Sequence, residues 1–166
     1  MSKLRQLIKS ESGFTLIEVI SAIFVFTLGI LAIMVLIDQS IAFSDQVKSK
    51  LIASYLAQEG IEIVRNIRDS NWIKKAPSWD SGLSVGDYEA DYQSLAVSNY
   101  TGSYLNIDSN GFYSYSVDTS TKFKRKITIS DKTSNPPRMR IASQVNWEIR
   151  GKYYYIEAVE YLYNWK

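Results

Sequence analysis

The chain has 166 residues and contains neither histidine nor cysteine. Their absence removes the usual transition-metal ligands, the thiol nucleophiles and the imidazole base of a serine-type triad, and it excludes enzymes of those classes. The polar residues that remain suggest three kinds of chemistry. Glu18 stands at the head of a long apolar run. A charge at a bilayer centre costs roughly 2.5–3.5 kcal/mol and less nearer the interface, so a carboxylate there needs a reason; snorkelling to headgroups is the plain one. Asp87, Glu89 and Asp91 alternate along the chain. Such spacing could serve acid–base work, but on one strand face it more simply means solvent exposure. Asn106, Asp108, Asn110 and Gly111 match the first half of a calcium loop, yet Val117 stands where the bidentate Glu belongs, so a hairpin turn is the simpler reading. No cofactor and no catalytic residue is expected.

Charge is segregated along the sequence. Asp80 to Asp118 carries six acidic residues and no basic one, whereas Lys122 to Lys152 carries nine basic residues against Asp131 and Glu148. Pairing within or between subunits accounts for this most simply; nucleic-acid binding through Lys122, Lys124 and Lys126 is the sharper alternative. The net charge of +2 lies entirely before Phe14, in Lys3, Arg5 and Lys9 against Glu11; from Phe14 onward basic and acidic residues balance at 16 each. A general polyanion binder would keep its positive excess in that later part. The 12 tyrosines and four tryptophans are read first as core packing in a head that has no disulfide to hold it, and second as an adhesive or sugar-stacking surface.

The elements that position these residues follow from periodicity. Val19 to Ile37 is a run of 19 residues without a charge. As a helix it is about 28 Å long, close to a hydrocarbon core of about 30 Å. Basic residues precede it and Asp38 and Asp45 follow, which puts the N-terminus in the cytoplasm and the remainder across the membrane. No proline occurs before Pro77, and apolar residues continue at helical spacing in two stripes, Val47, Leu51 and Tyr55 beside Ile52, Leu56, Ile63 and Ile67. One helix of about 80 Å is expected from Phe14 to near Asp69, with Gly29 and Gly60 as weak points.

Beyond Trp72 the texture changes to short alternating segments. Met139, Ile141, Val145, Trp147 and Ile149 fall on one face of a strand, and Arg150-Gly151 turns the chain into Tyr153–Tyr163. Phe123–Ser130 reads as a third strand, Asp87–Tyr92 as a fourth, and Asn110-Gly111 as the tip of a small hairpin. The fold class is therefore α+β, with a long N-terminal helix, transmembrane and then amphipathic, packed on a small antiparallel sheet.

At the junction of basic leader and apolar run stands Gly13-Phe14-Thr15-Leu16-Ile17-Glu18-Val19. This segment resembles the processing site of type IV prepilins and type II secretion pseudopilins. The resemblance is strong over residues 1 to about 40, weaker to Trp72 and architectural in the head. It implies a prepilin peptidase that cuts after Gly13, where the missing Cβ eases entry to a protease cleft, and that methylates the new Phe14 amine. It implies that Glu18 meets the amine of a neighbouring subunit, neutralising both charges inside an apolar bundle. The implied organisation is a leader at 1–13, a transmembrane and assembly helix at 14–37, its amphipathic continuation at 38–72 and a head at 73–166. The implied partners are the peptidase, other pilin subunits, membrane lipid, and an assembly platform protein with its ATPase. The expected role is a minor pilin, held in the cytoplasmic membrane with its head outside and then built into an extracellular or periplasmic filament. Alternatives are a secretion or competence pseudopilin, a membrane-anchored extracellular binding module, and a secreted domain released at Ser40-Ile41-Ala42, a small-x-small site.

Overall fold

A computed structural model describes residues 13–116 and 119–164, so the leader residues Lys3, Arg5, Lys9 and Glu11, the calcium-loop position Val117, and Asp118 lie outside the described residues. The chain divides into two compact units, Met1–Asp45 and Gln46–Lys166.

Helix α1 runs from Leu16 to Ile73 without a break in its helical residues, through both Gly29 and Gly60. Its end is written in the sequence. Lys75 adopts φ 52°, its N–H donates to Trp72 O at 3.2 Å, and the Ala76 N–H reaches back to Asn71 O at 2.9 Å. These two bonds are a Schellman closure, and Pro77 just beyond cannot continue the helix. Every described residue from Gly13 to Ile41 is exposed.

In the second unit, β1 (Gly86–Glu89), β2 (Ser98–Asn99), β6 (Lys124–Ser134), β7 (Pro137–Ile149) and β8 (Lys152–Tyr163) form an antiparallel sheet in the order β2-β1-β6-β7-β8. The expected C-terminal hairpin is present: Val145 pairs with Ile156 and Trp147 with Tyr154, and the turn holds Arg150 and Gly151 at φ 51° and 75°. Positive φ at both residues matches the twist of the flanking strands. Around Asn110-Gly111 the predicted hairpin shrinks to β3 (Asn106–Ile107) and β4 (Tyr113–Ser114), and β5 (Thr119–Ser120) completes a second, three-stranded sheet.

The core lies between α1 and the larger sheet. Ile61, Ile63, Val64 and Ile67 meet Ile127, Ile129, Met139, Ile141 and Leu162; Ala53, Leu56 and Ala57 meet Leu105, Phe123, Val145 and Trp147. Each buried Leu, Ile, Val or Phe contributes about 1.5–3 kcal/mol, which lets a head without disulfides stay folded. Of the two predicted stripes, only the one carrying Leu56, Ile63 and Ile67 is buried. Val47, Leu51 and Tyr55 are 49, 54 and 64 % exposed, because the sheet covers one side of the helix only.

Gly60 corrects the expectation of a weak point. It is buried, and a Cβ built there would collide with Ser143 Oγ and lie 3.1 Å from Arg125 Cδ. The glycine lets helix and sheet approach closely at this point. Arg125, on the inward face of β6, is fully buried; its Nη1 donates to Leu56 O at 3.0 Å, its Nη2 to Ala90 O, and Glu59 Oε2 lies 3.4 Å away. It thus fastens helix, β6 and the segment after β1 through two backbone carbonyls that partner its buried guanidinium.

Gly60→Ala separates the two readings. Propensity alone would stabilise the helix by about 1 kcal/mol, whereas overpacking costs about 1–3 kcal/mol. Denaturant unfolding of the variant is expected to show net destabilisation, and adding Ser143→Ala is expected to recover part of it by removing the clashing hydroxyl.

Candidate functional site

Gly13, Phe14 and Thr15 precede the first helical residue and are exposed, so the Gly13–Phe14 bond lies in irregular, accessible backbone. Thr15 then caps the helix. The Glu18 N–H donates to Thr15 Oγ1 at 3.3 Å, while the Thr15 N–H donates back to Glu18 Oε2 at 3.4 Å. This is the reciprocal capping box that the spacing Thr-x-x-Glu encodes, and it satisfies two of the donors a helix start leaves open. The carboxylate also sits at the positive end of the helix dipole. The sequence reading gave Glu18 a partner in another subunit and missed this local one, although Thr15-Leu16-Ile17-Glu18 carries the signal. Phe14, Glu18, Val19, Ala22 and Ile23 line one shallow hollow, so the first turn offers a single carboxylate in an apolar surround.

Further along, the apolar run looks after its own polar groups. Ser21 Oγ donates to Ile17 O at 2.7 Å and Thr27 Oγ1 to Ile23 O at 2.8 Å. In a medium without water, hydroxyls bonded to the preceding turn add no unpaired polar group.

The second candidate cluster forms a turn. Asp108 Oδ1 accepts the N–H groups of Asn110 and Phe112 at 2.9 and 3.0 Å, Oδ2 accepts the Tyr92 hydroxyl, and the Asn106 amide donates to Ser116 O. Asn106 therefore turns a donor, not an oxygen, to its neighbour, and no group of three metal-ligating side chains occurs among the described residues. The alternating acids behave similarly: Asp87 accepts Thr128 Oγ1, Glu89 accepts the Thr101 N–H, and Asp91 accepts the Ser94 hydroxyl and the Tyr115 N–H.

The third set is split. Lys126 lies 3.5 Å from Asp87 and Lys132 lies 2.6 Å from Asp80, as intramolecular pairing requires. Lys124 instead places Nζ 4.2 Å from the Tyr104 ring centroid, and Lys122 lies over Phe123 at 5.9 Å. Arg125 interrupts the row of lysines as a buried residue, which the alternation alone implied without explaining.

These geometries set the acid response of the head. Burial pushes the Asp80 carboxyl up, but its bonds to Lys132 and Ser78 outweigh that and leave it below the ordinary 3.8. The Tyr92 hydroxyl, with the Phe112 and Asn110 N–H groups, holds Asp108 below 3.8 as well. Both carboxyls stay ionised in the folded chain at a pH where the unfolded chain has begun to protonate. Their stabilisation is therefore complete above the unfolded value and is lost as pH falls through the lowered folded values. Denaturation midpoints are expected to decline below about pH 4, and Asp80→Asn, weaker at neutral pH, is expected to show a shallower decline.

With this arrangement in view, the comparison with known families is specific: residues 8–34 match the prokaryotic N-terminal methylation motif, the prepilin-type cleavage and methylation signal. No curated protein and no solved structure matches the chain. The motif covers the irregular segment, the capped first turn and most of the charge-free run. With a long apolar helix packed on antiparallel sheets, the arrangement is pilin-like, and the motif supports a membrane-anchored chain that is a pilin-like or pseudopilin substrate of the prepilin peptidase.

Proposed function

We propose that this chain is a structural subunit of a type IV pilus-like filament, in the role of a minor pilin. It is held in the membrane by α1 with its head outside, cut between Gly13 and Phe14, methylated on the Phe14 amine and assembled through the same helix. The observation that carries this reading is the placement of Glu18. It is the sole ionisable side chain from Phe14 to Ile37, it follows the motif's cleavage junction by five residues, and it stands on a helix whose surroundings in this chain are empty. Removing the leader creates an amine whose charge is opposite to that of Glu18. Bundling the helices of several subunits would bring amine and carboxylate out of water together, where each is costly alone and tolerable as a pair.

The chain's own chemistry ends there. The peptidase makes the cut and transfers the methyl group, and a platform protein with an ATPase supplies the work of extraction. The subunit contributes shape, an apolar surface and one charge pair. The exposed Val47, Leu51 and Tyr55 extend the packing surface beyond the membrane segment, where other subunits would cover it.

Two substitutions separate charge pairing from local capping. Glutamine can replace glutamate in a capping box but carries no charge. Both Glu18→Ala and Glu18→Gln are expected to insert into the membrane normally and to lower incorporation into sheared filaments by about tenfold or more, equivalent to about 1.4 kcal/mol. Normal incorporation of Glu18→Gln would reduce Glu18 to a helix cap and overturn the pairing. The minor role predicts that the wild-type chain is present at a small fraction of the principal subunit, which quantitative mass spectrometry of the filaments reads directly.

A further inference from the structure

The face of the larger sheet turned away from α1 carries a feature that assembly does not use. Along β8, Tyr153, Tyr155, Val159, Tyr161 and Tyr163 are all exposed. Cross-strand register sets Tyr153 opposite Glu148, Tyr155 opposite Asn146, and Asn146 opposite Lys124 on the next strand. At that end of the sheet, Tyr104, Lys122, Lys124, Asn146, Glu148 and Tyr153 border one hollow. Tyr153, Tyr155 and Tyr104 are 83, 69 and 48 % exposed.

Charge distinguishes this end from the rest of the sheet. Elsewhere the cations are matched: Arg125 with Glu59, Lys126 with Asp87, Lys132 with Asp80, Arg138 with Asp131 and Arg140 with Glu157. Lys122, just before β6, Lys124, at its start, and Arg150, at the β7–β8 turn, make no ion pair among the described residues. The one carboxylate bordering the hollow is Glu148, directly opposite Tyr153 in the register. Three cations without a carboxylate partner, one of them seated over the Tyr104 ring, therefore stand at the end of the sheet that exposes Tyr153 and Tyr155.

We infer that this end of the sheet binds a single-stranded nucleic acid, with Lys122, Lys124 and Arg150 facing phosphates and Tyr153 and Tyr155 stacking on bases, while the Tyr104 ring holds Lys124 in place. Flat rings beside a positive track suit a chain that alternates planar apolar faces with anions. A neutral glycan would use the rings and leave the cations unmatched. An acidic polysaccharide would match the cations and leave the rings without planar partners. A duplex hides its base faces. The inference rests on the sheet alone and is independent of leader processing and of Glu18.

The test is fluorescence anisotropy of the full-length processed chain in detergent micelles, titrated into a labelled single-stranded DNA of mixed sequence at several salt concentrations. Lys124→Gln is expected to weaken binding and to lower the salt slope by about 0.7. Tyr153→Ala and Tyr155→Ala are each expected to weaken it by about fivefold or more, and the Phe substitutions to retain it. Lys126→Gln, at the lysine already matched by Asp87, is expected to stay within about twofold of the wild type, since a phosphate contact is not lost there. Absence of wild-type binding, equal loss from Lys124→Gln and Lys126→Gln, retained affinity in the Tyr→Ala variants, or equally tight binding of alginate or of the duplex would each overturn the inference.

Discussion

An apolar helix with no cover of its own is the constraint from which the rest of this molecule follows. From Gly13 to Ile41 all described residues are exposed, among them Phe24, Phe26, Leu31 and Leu36 at more than half of their surface. At about 25 cal/mol per Å² of apolar surface, such a segment cannot rest in water. It needs lipid first and other helices later, and both environments penalise unpaired polar groups. The segment accordingly bonds Ser21 and Thr27 to its own preceding turn and, as far as Ile37, admits a single ionisable side chain, Glu18. That carboxylate has two uses at different stages. In the isolated chain it closes the helix start with Thr15, and in the proposed filament it becomes the partner of a new amine.

Further along, the same helix must bury one side against a sheet, and the packing there is tight. Gly60 lets the helix approach β7 closely enough that Ser143 lies where a Cβ would be, and Arg125 reaches from β6 to the Leu56 carbonyl beside that contact. The side away from the sheet keeps Val47, Leu51 and Tyr55 in the open. The helix thus leaves apolar surface for which this chain has no partner both before and beside the sheet, and the proposed assembly supplies one.

Much of this was legible in the residues because it rests on short-range patterns. Alternation in Met139–Ile149 placed Trp147 and Val145 on the buried face, the run from Val19 to Ile37 declared a membrane-compatible helix, and the GFTLIEV junction carried the processing signal. What escaped depends on contacts distant in sequence. Alternation turns Arg125 inward with Phe123 and Ile127, but nothing local reveals that Leu56 O and Ala90 O converge on it. The role of Gly60 needs Ser143, more than eighty residues away. Which lysines would be matched depended on pairing β1 beside β6, which brings Asp87 to Lys126 and leaves Lys122 and Lys124 beside Tyr104. Thr15 is the exception: its capping box with Glu18 is short-range and readable in Thr15-Leu16-Ile17-Glu18.

All of the functional account depends on where the mature chain begins. Mass spectrometry of the N-terminal peptide, from protein recovered from the membranes of cells that carry a prepilin peptidase, decides it. The account predicts a terminus at Phe14 bearing one methyl group on its amine. An intact Met1 or Ser2 terminus would contradict it in favour of a plain membrane anchor, and a terminus at Phe43 would contradict it in favour of a secreted domain.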